Sequence, residues 1–149
     1  MPNRRAQVEA FFAVYARRSD DALKDPPLED VEGVTNSFAP YVVGSSPKGV
    51  YGGANDEAFR QVIPRGFAQY RAAGGKAMRI ASLEITELDA VHAMAAVDWE
   101  FDYVQTKDGQ AGTIRFRNLY FLSFASGQPK IFAYITPDEE QAMKEHGLI

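Results

Sequence analysis

The sequence predicts an α+β fold, with helices packed on one face of an antiparallel sheet. Three observations carry the prediction. Apolar residues in the first half recur at helical spacing, from Lys76 onward their period drops to two, and turn signals cut this second half into four consecutive strands. Helices first and a sheet last is an α+β order, and 149 residues suit one domain, expected over 1–149.

Element by element, "VEAFFAVYARR" places Val8, Phe11, Phe12, Tyr15 and Ala16 on one helical stripe. Arg17 and Arg18 fall in its last turn, where cations suit the helix dipole. A proline-broken loop, "DDALKDPPLED", leads to a weaker helix with Leu28, Val31, Val34 and Phe38 on its stripe, interrupted by Gly33. "APYVVGSSPKGVYGG" reads as two short strands around a turn. Asn55 is the expected cap of a third helix, whose stripe is Phe59, Val62, Ile63, Phe67 and Tyr70 and which Pro64 should kink. Strands are expected at about 77–88, 91–105, 111–125 and 130–136, with a hairpin turn at Asp108–Gly109. Strands this long twist strongly, so the meander should curl. Thr136 as N-cap, Pro137 at the first helical position, Glu139 closing a capping box and Gly147 as stop predict a last helix over 137–146.

The stretch "AAVDWEFDYV" asks whether three carboxylates in alternation are a site or a wet sheet face. Val97, Trp99, Phe101 and Tyr103 take one face, and Asp98, Glu100 and Asp102 the other. Pairing through the next turn sets Arg115 and Arg117 opposite the carboxylates, which makes a solvated ladder the expected reading. The polar residues on the apolar faces are more informative. Tyr15 lies on the first helical stripe, and Asn118 and Tyr120 lie among Ile114, Phe116, Leu122 and Phe124. Buried amides and phenols need partners, supplied by the backbone or by a ligand in a cavity between helices and sheet.

Composition narrows the function. Hydrophobic residues make up 46% and aromatics 12%, as in a packed globular chain. A net charge of −4 argues against nucleic acid, whose phosphates need a basic face. No run of eighteen apolar residues exists, so no membrane span is expected. With zero cysteines, disulfides, thiolate zinc sites and cysteine nucleophiles are excluded. The first residues have arginines before an apolar stretch, but Glu9 interrupts it and no cleavage site follows, so a cytoplasmic location is the expectation. His92 and His146 have no ligand spacing, so neither a metal nor a cofactor is expected.

The element order resembles the nuclear-transport-factor-2-like superfamily, which includes SnoaL-like cyclases and ketosteroid isomerases. "VEAFFAVYARR", "SFAPYVV", "YGGANDEAF" and "LYFLSFASGQPKIFAYIT" carry the likeness over about residues 5–136, with the last helix as an addition. The resemblance implies a cone, in which a curved sheet wraps the first helix around an apolar pocket of the cystatin-like, SnoaL-like type. Ketosteroid isomerases place a tyrosine donor on the first helix, an aspartate base after a phenylalanine–alanine phrase, and a protonated aspartate on a late strand. Those positions correspond here to Tyr15, Ser46 and Tyr120, so donors survive and the base is missing. Limonene-epoxide hydrolases set aspartate, arginine and aspartate toward the pocket. A hydrolase of that kind would turn Asp98, Asp102, Arg115 and Arg117 inward.

The resulting expectation is a pocket for a small, mostly apolar molecule with a carbonyl or hydroxyl group, lined by Phe12, Tyr15, Phe59, Phe67, Trp99, Asn118 and Tyr120. If the chain is an enzyme, an isomerase, cyclase or lyase reaction would use Tyr15 and Tyr120 at oxygen, with Asp98 or Asp102 as base. The rival reading is a non-catalytic module that forms a homodimer through the outer sheet face, with Leu119 and Phe121 at its centre.

Overall fold

Asn3 opens the first helix, its Oδ1 accepting from the Ala6 amide at 2.7 Å. The computed structural model describes residues 3–149. In chain order these form α1 (Arg4–Asp21), α2 (Val31–Asn36), β1 (Phe38–Ser46), β2 (Gly49–Ala54) and α3 (Glu57–Ala72). β3 (Gly75–Glu87), β4 (His92–Val104), β5 (Ala111–Ser123), β6 (Lys130–Ile135) and α4 (Glu139–Glu145) follow.

One six-stranded sheet has the order β2-β1-β6-β5-β4-β3. Strands β3 to β6 pair antiparallel as a meander, while β1 runs parallel to β6. That parallel join depends on a contact between distant parts of the chain, which local periodicity does not encode. Register shifts interrupt the β3–β4 ladder between Gly75 and Ala77 and again between Ile80 and Ser82, and the β5–β6 ladder at Phe121/Leu122. Each extra residue bends its strand, and the bends curl the sheet around the helices.

Alternation holds along β4 and β5. Val97, Trp99, Phe101, Ile114, Phe116 and Leu122 are all at most 4% exposed and form the core with Val8 and Phe12 of α1. On the far face Asp98 pairs with Arg117, Glu100 with Arg115 and Asp102 with Thr113. Arg117 Nε lies 2.9 Å from Asp98 Oδ1, and Arg115 Nε 3.1 Å from Glu100 Oε2.

Several local expectations are corrected. Leu28 is 60% exposed and lies outside α2, which Asp30 caps through the Gly33 amide at 2.9 Å. Phe38 begins β1 instead of ending that helix, because its ring is needed in the core against Phe59 at 5.2 Å. Asp56 and not Asn55 caps α3, accepting from the Phe59 amide at 3.2 Å. Asn55 instead donates to the Thr35 and Phe38 carbonyls at 3.0 and 3.3 Å, tying α2 to β1. Helix α3 continues through Pro64. The cap of α4 is Asp138, which accepts from the Gln141 amide at 3.0 Å, so this helix starts at Glu139. Thr136 directly follows β6, and its amide is bound to the sheet, donating to the Ser45 carbonyl at 2.9 Å.

Candidate functional site

Between α1, α3 and the concave sheet face lies a cavity of about 430 Å³. Helix α1 contributes Tyr15, and α3 contributes Phe59, Ile63, Gly66, Phe67 and Tyr70. The sheet adds Trp99 from β4, Phe116, Asn118 and Tyr120 from β5, and Tyr134 from β6. Alternation directs these strand residues inward, and helical spacing turns the α3 stripe toward them. No side chain of α3 is fully buried, so its apolar face borders the open volume.

At one wall the Tyr120 hydroxyl accepts from Trp99 Nε1 at 3.0 Å and from Asn118 Nδ2 at 3.1 Å. Its lone pairs are thus engaged and its own proton is left to donate. Burial pushes this phenol up to about 12, against the lowering effect of the two donated hydrogen bonds. Tyr120 is therefore a neutral donor over the ordinary pH range. Asn118 Oδ1 is buried and has no hydrogen-bond partner among the described residues. Tyr15 packs against Tyr120 and Trp99 at ring distances of 6.0 and 6.1 Å. Burial, reinforced by Tyr120, Tyr134 and Glu139, holds the Tyr15 phenol well above its usual pKa, and no hydrogen bond tempers the effect.

The same cavity contains a carboxyl group. Glu139, the first residue of α4, accepts from the Tyr70 hydroxyl at 2.7 Å. Burial raises its pKa, and the Tyr70 hydrogen bond opposes the rise. Desolvation and the neighbouring Glu139 together push Tyr70 well above its usual value. Glu139 is also close enough to raise Tyr15, Tyr120 and Tyr134 electrostatically. Tyr134 lies over Gly44, where a Cβ would come within 2.6 Å of the ring. A large residue at position 44 would therefore push Tyr134 into the cavity.

Six of the seven lining residues expected from sequence meet in this cavity: Tyr15, Phe59, Phe67, Trp99, Asn118 and Tyr120. Phe12 does not. It is fully buried behind the wall, 5.2 Å from the Tyr120 ring, because helical spacing turns it deeper than Tyr15. Asp98 and Asp102 lie on the opposite sheet face, where Ser82 and Arg117 bind the first and Arg79 and Thr113 the second. Arg115 and Arg117 share that face, so these four charged residues do not border the cavity. Ser46 is at the mouth, its hydroxyl accepting from the Lys48 amide at 3.2 Å. His92 sits beside Asp89 at 2.9 Å, and His146 Nδ1 lies 2.9 Å from the Ala142 carbonyl, both away from the cavity.

The sequence hides Glu139 because a cap at Thr136 makes Glu139 a capping-box residue. The signal was in "TPDEE": several acceptors compete for one helix start, directly after the last cavity strand. The hydroxyls of Tyr70 and Tyr134 were hidden in apolar patterns, where a tyrosine counts as an aromatic ring.

No family model matches the chain, and no curated protein matches it in sequence. Solved structures do match in fold. An NTF2-like protein with a cystatin-like fold from Novosphingobium aromaticivorans superposes with a TM-score of 0.67 at 11% identity, covering 97% of this chain and 88% of that one. A ketosteroid isomerase-like protein from Erwinia carotovora atroseptica gives 0.58 at 15% identity, over 89% and 91% of the two chains. A putative calcium/calmodulin dependent protein kinase II association domain from Xanthomonas campestris gives 0.63 at 16% identity, over 91% and 88%. Among the described residues no helix is long and apolar enough to cross a membrane. The curved sheet, the helices on its concave face and these superpositions agree that the chain has the nuclear-transport-factor-2-like, cystatin-like fold.

Proposed function

We propose that the cavity takes a small, mostly apolar molecule by its carbonyl or hydroxyl oxygen, and that the chain is a proton-transfer enzyme of isomerase, cyclase or lyase type with Glu139 as base. One observation carries the reading: the free proton of Tyr120 and the carboxyl of Glu139 share a single aromatic cavity. The fold it shares with a ketosteroid isomerase-like protein supports it. The substrate oxygen accepts from Tyr120, assisted by Tyr15. Ionised Glu139 removes a proton from the carbon beside the carbonyl, and the electron pair moves onto oxygen as an enolate. Trp99 and Asn118, both buried, spread that developing charge beyond the phenol. The proton held on Glu139 then returns at another carbon, or the enolate expels a leaving group or closes a ring.

The test uses 2-tetralone, an apolar enolisable ketone, with binding followed by the fluorescence of Trp99, the only tryptophan. Deuterium incorporation beside the carbonyl, read by NMR, reports proton transfer. Glu139→Gln is expected to slow incorporation by about 100-fold or more while binding persists. Because burial raises the Glu139 pKa, the wild-type rate should climb with pH at values above the ordinary carboxylate range. Equal rates in wild type and Glu139→Gln would overturn the assignment.

The second reading is assembly, favoured by the association-domain neighbours. The outer sheet face presents Phe121 beside Phe132 at 6.3 Å, with Leu119 on the same strand face, as an apolar centre for a second copy.

A further inference from the structure

The mouth of the cavity lies between the β1–β2 hairpin, with Ser46, Lys48 and Tyr51, and the segment Thr136–Glu140. Past the end of the β1–β6 ladder, where the Thr136 amide donates to the Ser45 carbonyl at 2.9 Å, an ion pair crosses it, between the Lys48 ammonium and the Glu140 carboxylate. Glu139 and Glu140 are neighbours on the first turn of α4, both border the cavity, and they take different partners. Glu139 reaches Tyr70, while Glu140 reaches Lys48 and, at 3.4 Å, Lys144. The far end of α4 is fastened separately, by the buried Met143 and by Gln105 Nε2 donating to the His146 carbonyl at 2.8 Å. A rotation of the first turn would move both carboxylates together, because they share one rigid backbone segment.

We propose that Lys48 is a positioning residue: by holding Glu140 across the mouth, it sets the rotation of α4 that keeps the Glu139 carboxyl inside the cavity against Tyr70. The inference rests on the reading of Glu139 as base and goes beyond it, since it assigns Lys48 and Glu140, which touch no reacting atom, a part in the chemistry. Both side chains are about half exposed, 58% and 50%, so the pair is weak and breaks readily, as a mouth that must admit a ligand requires. It is also salt-sensitive.

The experiment measures 2-tetralone deuterium incorporation against pH for Lys48→Met, Glu140→Gln, the double variant and Lys48→Arg, with Lys24→Met as a control at an exposed pair away from the cavity, 2.8 Å from Asp21. Each single variant is expected to slow incorporation about two- to fivefold, the range a surface ion pair supplies. The double variant should be no slower than either, and Lys48→Arg should restore the rate. The pH midpoint should drop toward the ordinary carboxylate range, because a loosened Glu139 regains water. A mere loss of positive charge would move the midpoint upward. Melting temperatures should stay unchanged. Wild-type rates and midpoint in Lys48→Met, losses that add in the double variant, or an upward midpoint would overturn the inference while leaving Glu139 as base. Incorporation that does not depend on Glu139 would overturn both.

Discussion

Two tyrosine hydroxyls that look alike in sequence differ in what they support. Among the described residues the Tyr15 hydroxyl has no hydrogen-bond partner, whereas that of Tyr120 satisfies Trp99 and Asn118. Tyr15→Phe is therefore expected to weaken ketone binding by about fivefold with little change in unfolding free energy, since nothing is left unpaired. Tyr120→Phe should weaken binding and also cost about 1–3 kcal/mol in urea denaturation, because two buried donors lose their acceptor. Equal stability losses in both would make the Tyr15 phenol a structural group. On the outer face, Arg117 and then Ser82 hold Asp98 at about 2, below its ordinary 3.8. A depressed carboxyl stabilises the fold above its unfolded pKa, and that contribution disappears as pH falls through the folded value. The stability gap between wild type and Asp98→Asn should accordingly close between about pH 4 and pH 2, and a gap that persists below pH 2 would refute the pairing.

At the scale of elements, most boundaries were legible because burial on one face imposes a period, and period is local information. The charged ladder is an example: the alternation of Asp98, Glu100 and Asp102 against Trp99 and Phe101 predicts both faces and the pairing with Arg115 and Arg117. Caps were less legible. Asn55 competed with Asp56, and Thr136 with Asp138, and tertiary contacts decided each case by using one candidate elsewhere. The α3–β3 connection depends on Gly74, whose φ is 96° and whose carbonyl accepts from the Val104 amide at 2.9 Å. A Cβ there would sit 2.2 Å from the Val104 carbonyl oxygen. Gly74→Ala is expected to destabilise the fold by at least about 1–3 kcal/mol in chemical denaturation, from backbone strain alone. A wild-type midpoint would show that the turn can rearrange.

For the whole molecule, the sheet divides its faces by chemistry. The concave face borders a cavity lined by phenols and by the Glu139 carboxyl of α4, and the convex face holds a neutralised charge ladder beside Phe121 and Phe132. If the convex face joins two copies, Phe121→Arg should shift the mass measured by light scattering to that of a single chain, with the curve of ketone binding unchanged. A mass that the substitution does not alter would remove the assembly reading.

The sequence by itself determined the fold class, the two sheet faces and most of the aromatic lining, because periodicity records which side chains must leave water. Only the tertiary structure decided that β1 joins β6 in parallel and that Phe12 stays behind the wall. It also decided that Glu139 borders the cavity and meets Tyr70 there. That placement depends on where the last helix starts and on how a curved sheet brings residue 139 over residue 70, a distance in space that no local pattern contains.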